Sequence, residues 1–193
     1  MAKKFQTALV TGGAGFIGSH IVDALVRRGM NVHIADDFST GQKKNVNPKA
    51  QVTKMSVLHP KFPALVEQVK PDAVFHLAAQ INLRNSLQDP LHDAKVNILG
   101  SLALMEACAD AGVKKIIYSS TGGPMYPESA KLPWSEKIAA HPISPYGISK
   151  RSAELYLQYA YEVRGLPYVA LRYANVYGPR QNPYGEAGVI AIF

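Results

Sequence analysis

Three glycines at a spacing of three, Gly12, Gly15 and Gly18 in the run Gly12-Gly13-Ala14-Gly15-Phe16-Ile17-Gly18, constrain this chain more than any other feature. They follow an apolar run of strand length, residues 7–11. They open a segment in which Phe16, Ile17, Ile21, Leu25 and Val26 recur at helical spacing until Gly29. A second strand, residues 31–36, ends in Asp36 and Asp37, so an acid stands 18 residues beyond Gly18. Glycines so placed let the backbone turn tightly and approach a diphosphate, whose charge the free N–H groups of the helix N-terminus stabilise. The strand–turn–helix–strand–acid order makes the pattern a specific sign of dinucleotide binding, where three glycines alone would be a weak one. Asp36 is placed to accept from both adenosine ribose hydroxyls and to repel a 2′-phosphate, which favours NAD over NADP.

The rest of the chain repeats the alternation. Further strands are expected over residues 51–58, 72–79, 114–120 and 168–175, and helices over 63–69, 90–111 and 145–163. The Ala73-Val74-Phe75 run is nearly continuous in apolar character, as a strand covered on both faces should be. This order predicts an α/β fold of Rossmann type, a doubly wound parallel sheet with helices on both faces. Residues 121–144 are too long and too rich in Pro and Gly for a plain connector. Residues 1–175 are expected to form the dinucleotide-binding domain and 176–193 the start of a further, substrate-binding region. The apolar run 188–193 makes that region read as truncated.

With 193 residues and 47% hydrophobic content, the chain is long enough to bury one sizeable core. The only cysteine, Cys108, excludes an intrachain disulfide and reads as a small core residue. The six histidines are scattered without metal-ligand spacing, so no metal site is expected. Residues 1–7 carry no signal-peptide pattern and no apolar run is long enough to cross a bilayer, so a cytoplasmic protein with no membrane partner is expected. The net charge of +7 comes as isolated pairs, Lys3-Lys4, Arg27-Arg28, Lys43-Lys44 and Lys114-Lys115, without a basic stripe. That reads as solvated surface, and no nucleic-acid partner is expected.

Chemistry is suggested by Tyr146-Gly147-Ile148-Ser149-Lys150, which puts a phenol and an ammonium on one helix face. A free phenol titrates near 10 and is protonated at neutral pH. A neighbouring ammonium and the positive nicotinamide ring could together lower it in a partly dry site, which would make Tyr146 a general base in one direction and a general acid in the other. A hydroxyl cluster, Ser119-Ser120-Thr121, ends the strand before this helix.

The GxxGxxG spacing, the TGGAGFIG run and the Tyr146/Lys150 pair resemble the extended short-chain dehydrogenase/reductases, the NAD-dependent epimerase/dehydratase family, over essentially the whole chain. The resemblance implies NAD as cofactor, with Gly12, Gly15, Phe16, Ile17 and Gly18 in the first turn. It implies that Asp37, Ser39, Thr40 and Gly41 continue the contacts of Asp36, and that Ser56 and Val57 lie at the adenine. It also implies cofactor contacts from Leu77, Ala78, Ala79, Gln80, Asn97, Ser119 and Tyr173, with Lys150 on the nicotinamide ribose. Thr121 is then the hydroxyl that bridges substrate oxygen and Tyr146, with Ser120 beside it, and Asn175 reaches a nucleotide sugar. His76 reads as structural.

Dehydratases of the family carry an Asp-Glu pair after the Thr, where this chain has Gly122-Gly123. With residues 178–183 and 185–188, that looks most like the bacterial UDP-glucose 4-epimerase branch. The implied activity is C4 epimerisation of UDP-glucose or UDP-galactose through a 4-keto intermediate. A dehydratase, an oxidoreductase that releases NADH and a non-catalytic NAD-binding fragment are the alternatives. The helices at 90–111 and 145–163 resemble the pair through which family members form homodimers. Departures are Asp37 in place of Asn, Ser56-Val57 in place of an acid, and Pro124 and Pro127 in the loop after Thr121.

Overall fold

The fold was described from a computed structural model, over residues 5–127, 129–184 and 189–192. Its frame is one parallel sheet of β1 (Thr7–Thr11), β2 (Asn31–Asp36), β3 (Gln51–Lys54), β4 (Ala73–His76), β5 (Lys115–Thr121) and β6 (Tyr168–Tyr173). The spatial order is β3-β2-β1-β4-β5-β6, so the winding reverses between β1 and β4 and leaves a crevice at the strand C-terminal ends there. The helices are α1 (Phe16–Arg27), α2 (Phe62–Val69), α3 (Leu83–Gln88), α4 (Pro90–Ala94), α5 (Gly100–Asp110), α6 (Pro145–Arg164) and a last turn, α7 (Val189–Ile192).

Alternate residues of each strand point to opposite faces, and both faces are apolar. Leu9, Val74, Ile116 and Tyr118 form one core with Phe62, Val66, Leu104, Met105 and Leu157 from the helices on that side. Ala8, Val10 and Ile34 pack on the other face with Val22 and Leu25 of α1. Cys108 is fully buried in the first core, as its small apolar character implies.

Five elements differ from the sequence expectation. β3 stops at Lys54, not at 58: Met55 N still donates to Asp36 O at 3.0 Å, after which Ser56–Leu58 turn toward the crevice. β4 stops at His76, not at 79: Leu77 N still donates to Thr11 O at 3.1 Å, and the ladder ends where Ala78 N turns to Thr11 Oγ1 at 3.2 Å. β6 likewise ends at Tyr173, whose carbonyl accepts from Gly122 N at 2.7 Å. The single helix expected at 90–111 contains a π-helical turn, Lys95–Leu99, between α4 and α5. Helix α3 was not anticipated. Its N-terminus is capped by Asn82, which accepts from Asn85 N at 2.8 Å, and α4 follows at once, capped by Asp89 with Pro90 in its first turn.

Helix α6 carries the pair singled out in the sequence and starts where local signals place it. Ser144 accepts from Gly147 N at 3.2 Å, Pro145 supplies the first helical residue, and Gly165 ends the helix at φ 65°. Of the motifs read in the sequence, Lys3-Lys4 and residues 185–188 lie outside the described residues.

Candidate active site

The crevice opens into a cleft of about 930 Å³ across the ends of β1, β2, β4 and β5. Its floor is the glycine turn. Gly12 sits at φ +70°, and a Cβ there would lie 2.7 Å from Ala78 N. A Cβ on Gly18 would lie 2.1 Å from Gly12 O, so α1 can pack this closely on the turn only with hydrogen at that position. Helix α1 begins at Phe16 with no side-chain cap among the described residues and no acid in its first turn. Its N-terminal N–H groups and dipole therefore suit an anion.

Asp36 closes the cleft on the β2 side. It is 6% exposed, with Oδ2 accepting from Ala14 N at 2.9 Å and Oδ1 from Phe38 N at 2.8 Å. Burial pushes its carboxyl above the ordinary carboxylate range. These bonds aim the carboxylate into the cleft, where each oxygen keeps further lone pairs for a ribose diol. Asp37, Ser39, Thr40, Ser56, Val57, Leu77, Ala78, Ala79, Gln80, Ser119, Ser120, Tyr146, Lys150 and Tyr173 also line it. The donor set, a glycine cradle at one end and a diol-accepting carboxylate beside it, fits a dinucleotide diphosphate.

Four expected residues do not line the cleft. Gly41 backs Asp36, because a Cβ there would fall 2.7 Å from Asp36 Oδ1. Asn97 has its amide committed: Oδ1 accepts from Gln80 N at 2.9 Å, and Nδ2 donates to Gln80 O at 2.9 Å and to Asp93 Oδ1 at 3.0 Å. It positions Gln80, which does line the cleft. Asn175 is exposed beyond the end of β6. Thr121, half-buried at the end of β5, is close enough to Tyr146 to draw its phenol down against burial. Ser120 lines the cleft, but its Oγ donates to Glu154 Oε1 at 2.6 Å, so its proton is committed away from a ligand.

Tyr146 stands in the first turn of α6, and Lys150 follows one turn later, 4% exposed. Lys150 Nζ donates to Ser119 O at 2.9 Å and lies 4.9 Å from the Tyr118 ring centre and 5.8 Å from that of Tyr146. Burial pushes the Lys150 ammonium down to about 8, against an opposing pull from the charge of Asp93. From the sequence, Lys150 and the positive nicotinamide ring are together expected to lower the phenol. Within the chain's own atoms burial dominates instead, and with Asp93 it holds Tyr146 up at about 12 despite the opposing pull of Thr121. A base of this kind needs additional positive charge beside it before it works at neutral pH.

His76 is structural, as expected. It is 1% exposed, with Nδ1 2.7 Å from Thr11 Oγ1 and Nε2 3.0 Å from Ser101 Oγ, and burial holds it down at about 3. It thus ties β1, β4 and α5 together beneath the cleft.

The loop after β5 is fixed by a polar network that the sequence did not announce. Glu154 of α6 accepts from Ser120 and, on both oxygens, from Arg172 of β6 at 2.9 and 2.6 Å. Arg172 also donates to the Tyr126 hydroxyl at 2.6 Å, and the Tyr126 ring stacks at 5.6 Å on Trp134 farther along the loop. Pro124, a departure noted in the sequence, lies in a 3₁₀ turn, Gly123–Met125, pressed on the helix start. A Cβ on Gly147 would lie 2.7 Å from Pro124 O. Sequence reasoning also missed the cleft contributions of Asn82, Asn85, His92, Arg180 and Gln181. Arg180 reaches the cleft because its guanidinium pairs with Asp23 of α1 at 2.7 Å, a contact across 157 residues that no local pattern signals. Among the described residues no group of three or more His, Cys, Asp or Glu gathers to hold a metal.

A Rossmann sheet with a glycine cradle, a buried acid at the end of β2 and a Tyr/Lys pair on the helix after β5 defines the short-chain dehydrogenase class of dinucleotide-dependent proteins. Within it, the chain belongs to the NAD dependent epimerase/dehydratase family, whose model matches residues 8–193. It is 44% identical over 185 residues to a putative UDP-glucose 4-epimerase of Methanocaldococcus jannaschii, covering 96% of this chain and 61% of that protein. It is 42% identical over 190 residues to the UDP-glucose 4-epimerase of Mycolicibacterium smegmatis, with the same coverage of each. The structure of the Thermotoga maritima UDP-glucose 4-epimerase with UDP-glucose superposes with a TM-score of 0.94 at 50% identity, over 97% of this chain and 61% of that one. The Thermus thermophilus UDP-glucose 4-epimerase in complex with NAD gives 0.91 at 43%, with the same coverage. The chain thus spans about 61% of the length of these relatives.

Proposed function

We propose that this chain is the NAD-binding, redox-active part of a nucleotide-sugar epimerase acting at C4 of UDP-glucose or UDP-galactose. The observation that carries the reading is the presence of Tyr146 and Lys150 in a cleft built for a dinucleotide, with Thr121 near Tyr146 at the end of β5 and Gly122-Gly123 after it. A dehydratase needs an acid and a base at those two places to expel water, and glycines offer neither. NAD would be held by the Gly12–Gly18 turn and Asp36, with Lys150 at the nicotinamide ribose. When bound, it supplies a reversible hydride acceptor next to the sugar carbon. Tyr146 takes the proton of the C4 hydroxyl and later returns it, while Thr121 fixes the phenol's direction. The burial that holds Tyr146 near 12 makes this chemistry conditional on the cofactor's positive charge, so proton abstraction waits for a loaded site.

The same reading covers partners. Leu91 (83% exposed) on α4, Leu99 in the π turn, and Leu155, Tyr159 and Val163 on α6 form exposed apolar faces on neighbouring helices, which supports a homodimer built through them. No described helix is long and apolar enough to cross a membrane.

The test is to denature the purified chain, assay released NAD(H), and repeat after adding UDP-glucose. Retained NAD near one per chain, part of it converted to NADH by the sugar nucleotide in wild type and none in Tyr146→Phe, is the expected result. A chain that exchanges NADH freely with solution would point to a dehydrogenase instead.

A further inference from the structure

Strands β4 and β5 stand between β1 and β6, yet the segment that leaves β6 is tied to α1, the helix that follows β1. Three consecutive residues of that segment meet one stripe of α1, because Phe16, His20 and Asp23 are spaced four and three apart and share a helix face. A Cβ on Gly178 would stand 3.9 Å from the Phe16 ring. The Pro179 carbonyl accepts from His20 Nε2 at 2.8 Å, and the His20 ring itself meets Phe16 edge-on at 5.9 Å. The Arg180 guanidinium donates to Asp23 Oδ2 at 2.7 Å, while Asp23 Oδ1 accepts from Asn47 Nδ2 at 2.6 Å. Among the described residues, the hydrogen bonds that leave residues 176–184 go only to His20 and Asp23; the others, Gln181 to Gly178 and Val176 and Tyr184 to Asn182, stay inside the segment.

The backbone of the segment is set for this contact. Gln181 N donates to Gly178 O at 3.3 Å around Pro179 and Arg180, and Arg180 has φ 71°. That is the arrangement of a type II turn, whose third position ordinarily calls for glycine. A side chain kept at such a φ needs surroundings that hold it there, and the bonds of Pro179 and Arg180 to α1 are what is available. Arg180, Gln181 and Asn182 then line the dinucleotide cleft together with Phe16 and Ile17, the first residues of α1, whereas His20 and Asp23 do not line it. We propose that residues 178–182 are a latch on the diphosphate end of the cleft, that His20 and Asp23 hold it shut from outside, and that the strength of those two ties sets how fast NAD enters and leaves. A hydride that is to be returned to the same sugar needs a cofactor that stays through both steps, and a tied latch supplies that retention without any contact of His20 or Asp23 with NAD.

The inference rests on NAD occupying this cleft and not on which sugar is turned over, so the test reads cofactor exchange alone. The chain is loaded with NADH, release is followed by stopped-flow fluorescence on adding excess NAD⁺, and association is measured by mixing free chain with NADH. In Asp23→Ala both release and association should quicken about fivefold, leaving Kd within about threefold of wild type. His20→Phe keeps a ring on Phe16 but loses the bond to Pro179, and should quicken both about threefold; it also serves if Asp23→Ala does not fold. Asn47→Ala removes the other partner of Asp23 and leaves the latch tied, so its rates should stay within about twofold of wild type. Unchanged release in folded Asp23→Ala or His20→Phe would overturn the latch. Faster release with unchanged association would also overturn it, since a merely structural loss weakens the bound state without opening an entrance. Equal acceleration in Asn47→Ala would place the effect in the connection after β2 and sink the proposal as well. A wild-type chain that binds no NADH would fail at the earlier step, the cofactor site itself, and take the latch with it.

Discussion

The two sides of the cleft are built on different principles. On the β1–β2 side the backbone itself makes the site: Gly12 and Gly18 leave so little room that a methyl group on either meets main-chain atoms below 3 Å, and Asp36 is held by two backbone N–H groups. On the β5–β6 side, side chains make the site. Ser120, Glu154, Arg172 and Tyr126 come from four separate segments, and hydrogen bonds among their side chains hold them together. The first kind of site is rigid because it has no alternative packing. The second is rigid only while every member is present, and it is exposed to failure at any one of them.

That contrast can be broken at several points. Gly18→Ala drives a methyl against Gly12 O and should weaken NAD binding about 100-fold by calorimetry, by way of a distorted turn. Affinity within about threefold of wild type would mean that the glycine side is not rigid. Arg172→Met leaves the Glu154 carboxylate, 6% exposed, without its main cation and should cost about 3 kcal/mol in urea unfolding, with NAD affinity nearly unchanged. An equal loss of NAD affinity would erase the distinction between the two sides.

His76 lies at the seam, and its effect depends on pH. Its folded value near 3 lies below the ordinary 6.5, so as pH falls the unfolded chain takes up the proton first. The stability it contributes is whole above pH 6.5 and is lost between 6.5 and 3 at up to about 1.4 kcal/mol per pH unit. His76→Asn should flatten that part of the wild-type profile, and parallel profiles would count against the assignment. The smallest effect is expected at Ser56, which lines the cleft where the family resemblance calls for an acid. Ser56→Asp should tighten NAD about fivefold, the worth of one added hydrogen bond to the adenine. No gain would place the adenine elsewhere.

The same division explains what could be read from the sequence. The cradle, Asp36 and the start of α6 are local: the glycine spacing, the acid after β2 and the Ser144-Pro145 cap all act within a few turns of chain, and each stands where its pattern placed it. The helix at 90–111 was legible as apolar periodicity, but its π turn was not. Asn97, expected to face the cofactor, bonds instead to Gln80, 17 residues earlier and across the fold. The family resemblance put Ser120 beside Thr121; it lines the cleft, and its hydroxyl is held by Glu154, 34 residues on. Periodicity and motif report what a residue's neighbours in sequence require, whereas these two roles depend on partners that only the packing of α4 and α6 brings near. The ends of β3 and β4 were overextended for a related reason. Apolar character continues past Lys54 and His76, but the ladder stops where Ser56–Leu58 and Leu77–Ala78 are drawn toward the cleft.

The stack of Trp134 on Tyr126 carries a practical consequence. Trp134 is the only tryptophan of the chain, so its emission has a single origin. Its neighbour Tyr126 is bonded to the same Arg172 that grips Glu154, next to the helix bearing Tyr146 and Lys150. Any rearrangement of that loop changes the polarity around one indole ring, so ordinary fluorescence becomes a gauge of the catalytic side alone. The glycine side contributes no tryptophan to the signal, so a change in emission reports the β5–β6 side without a label.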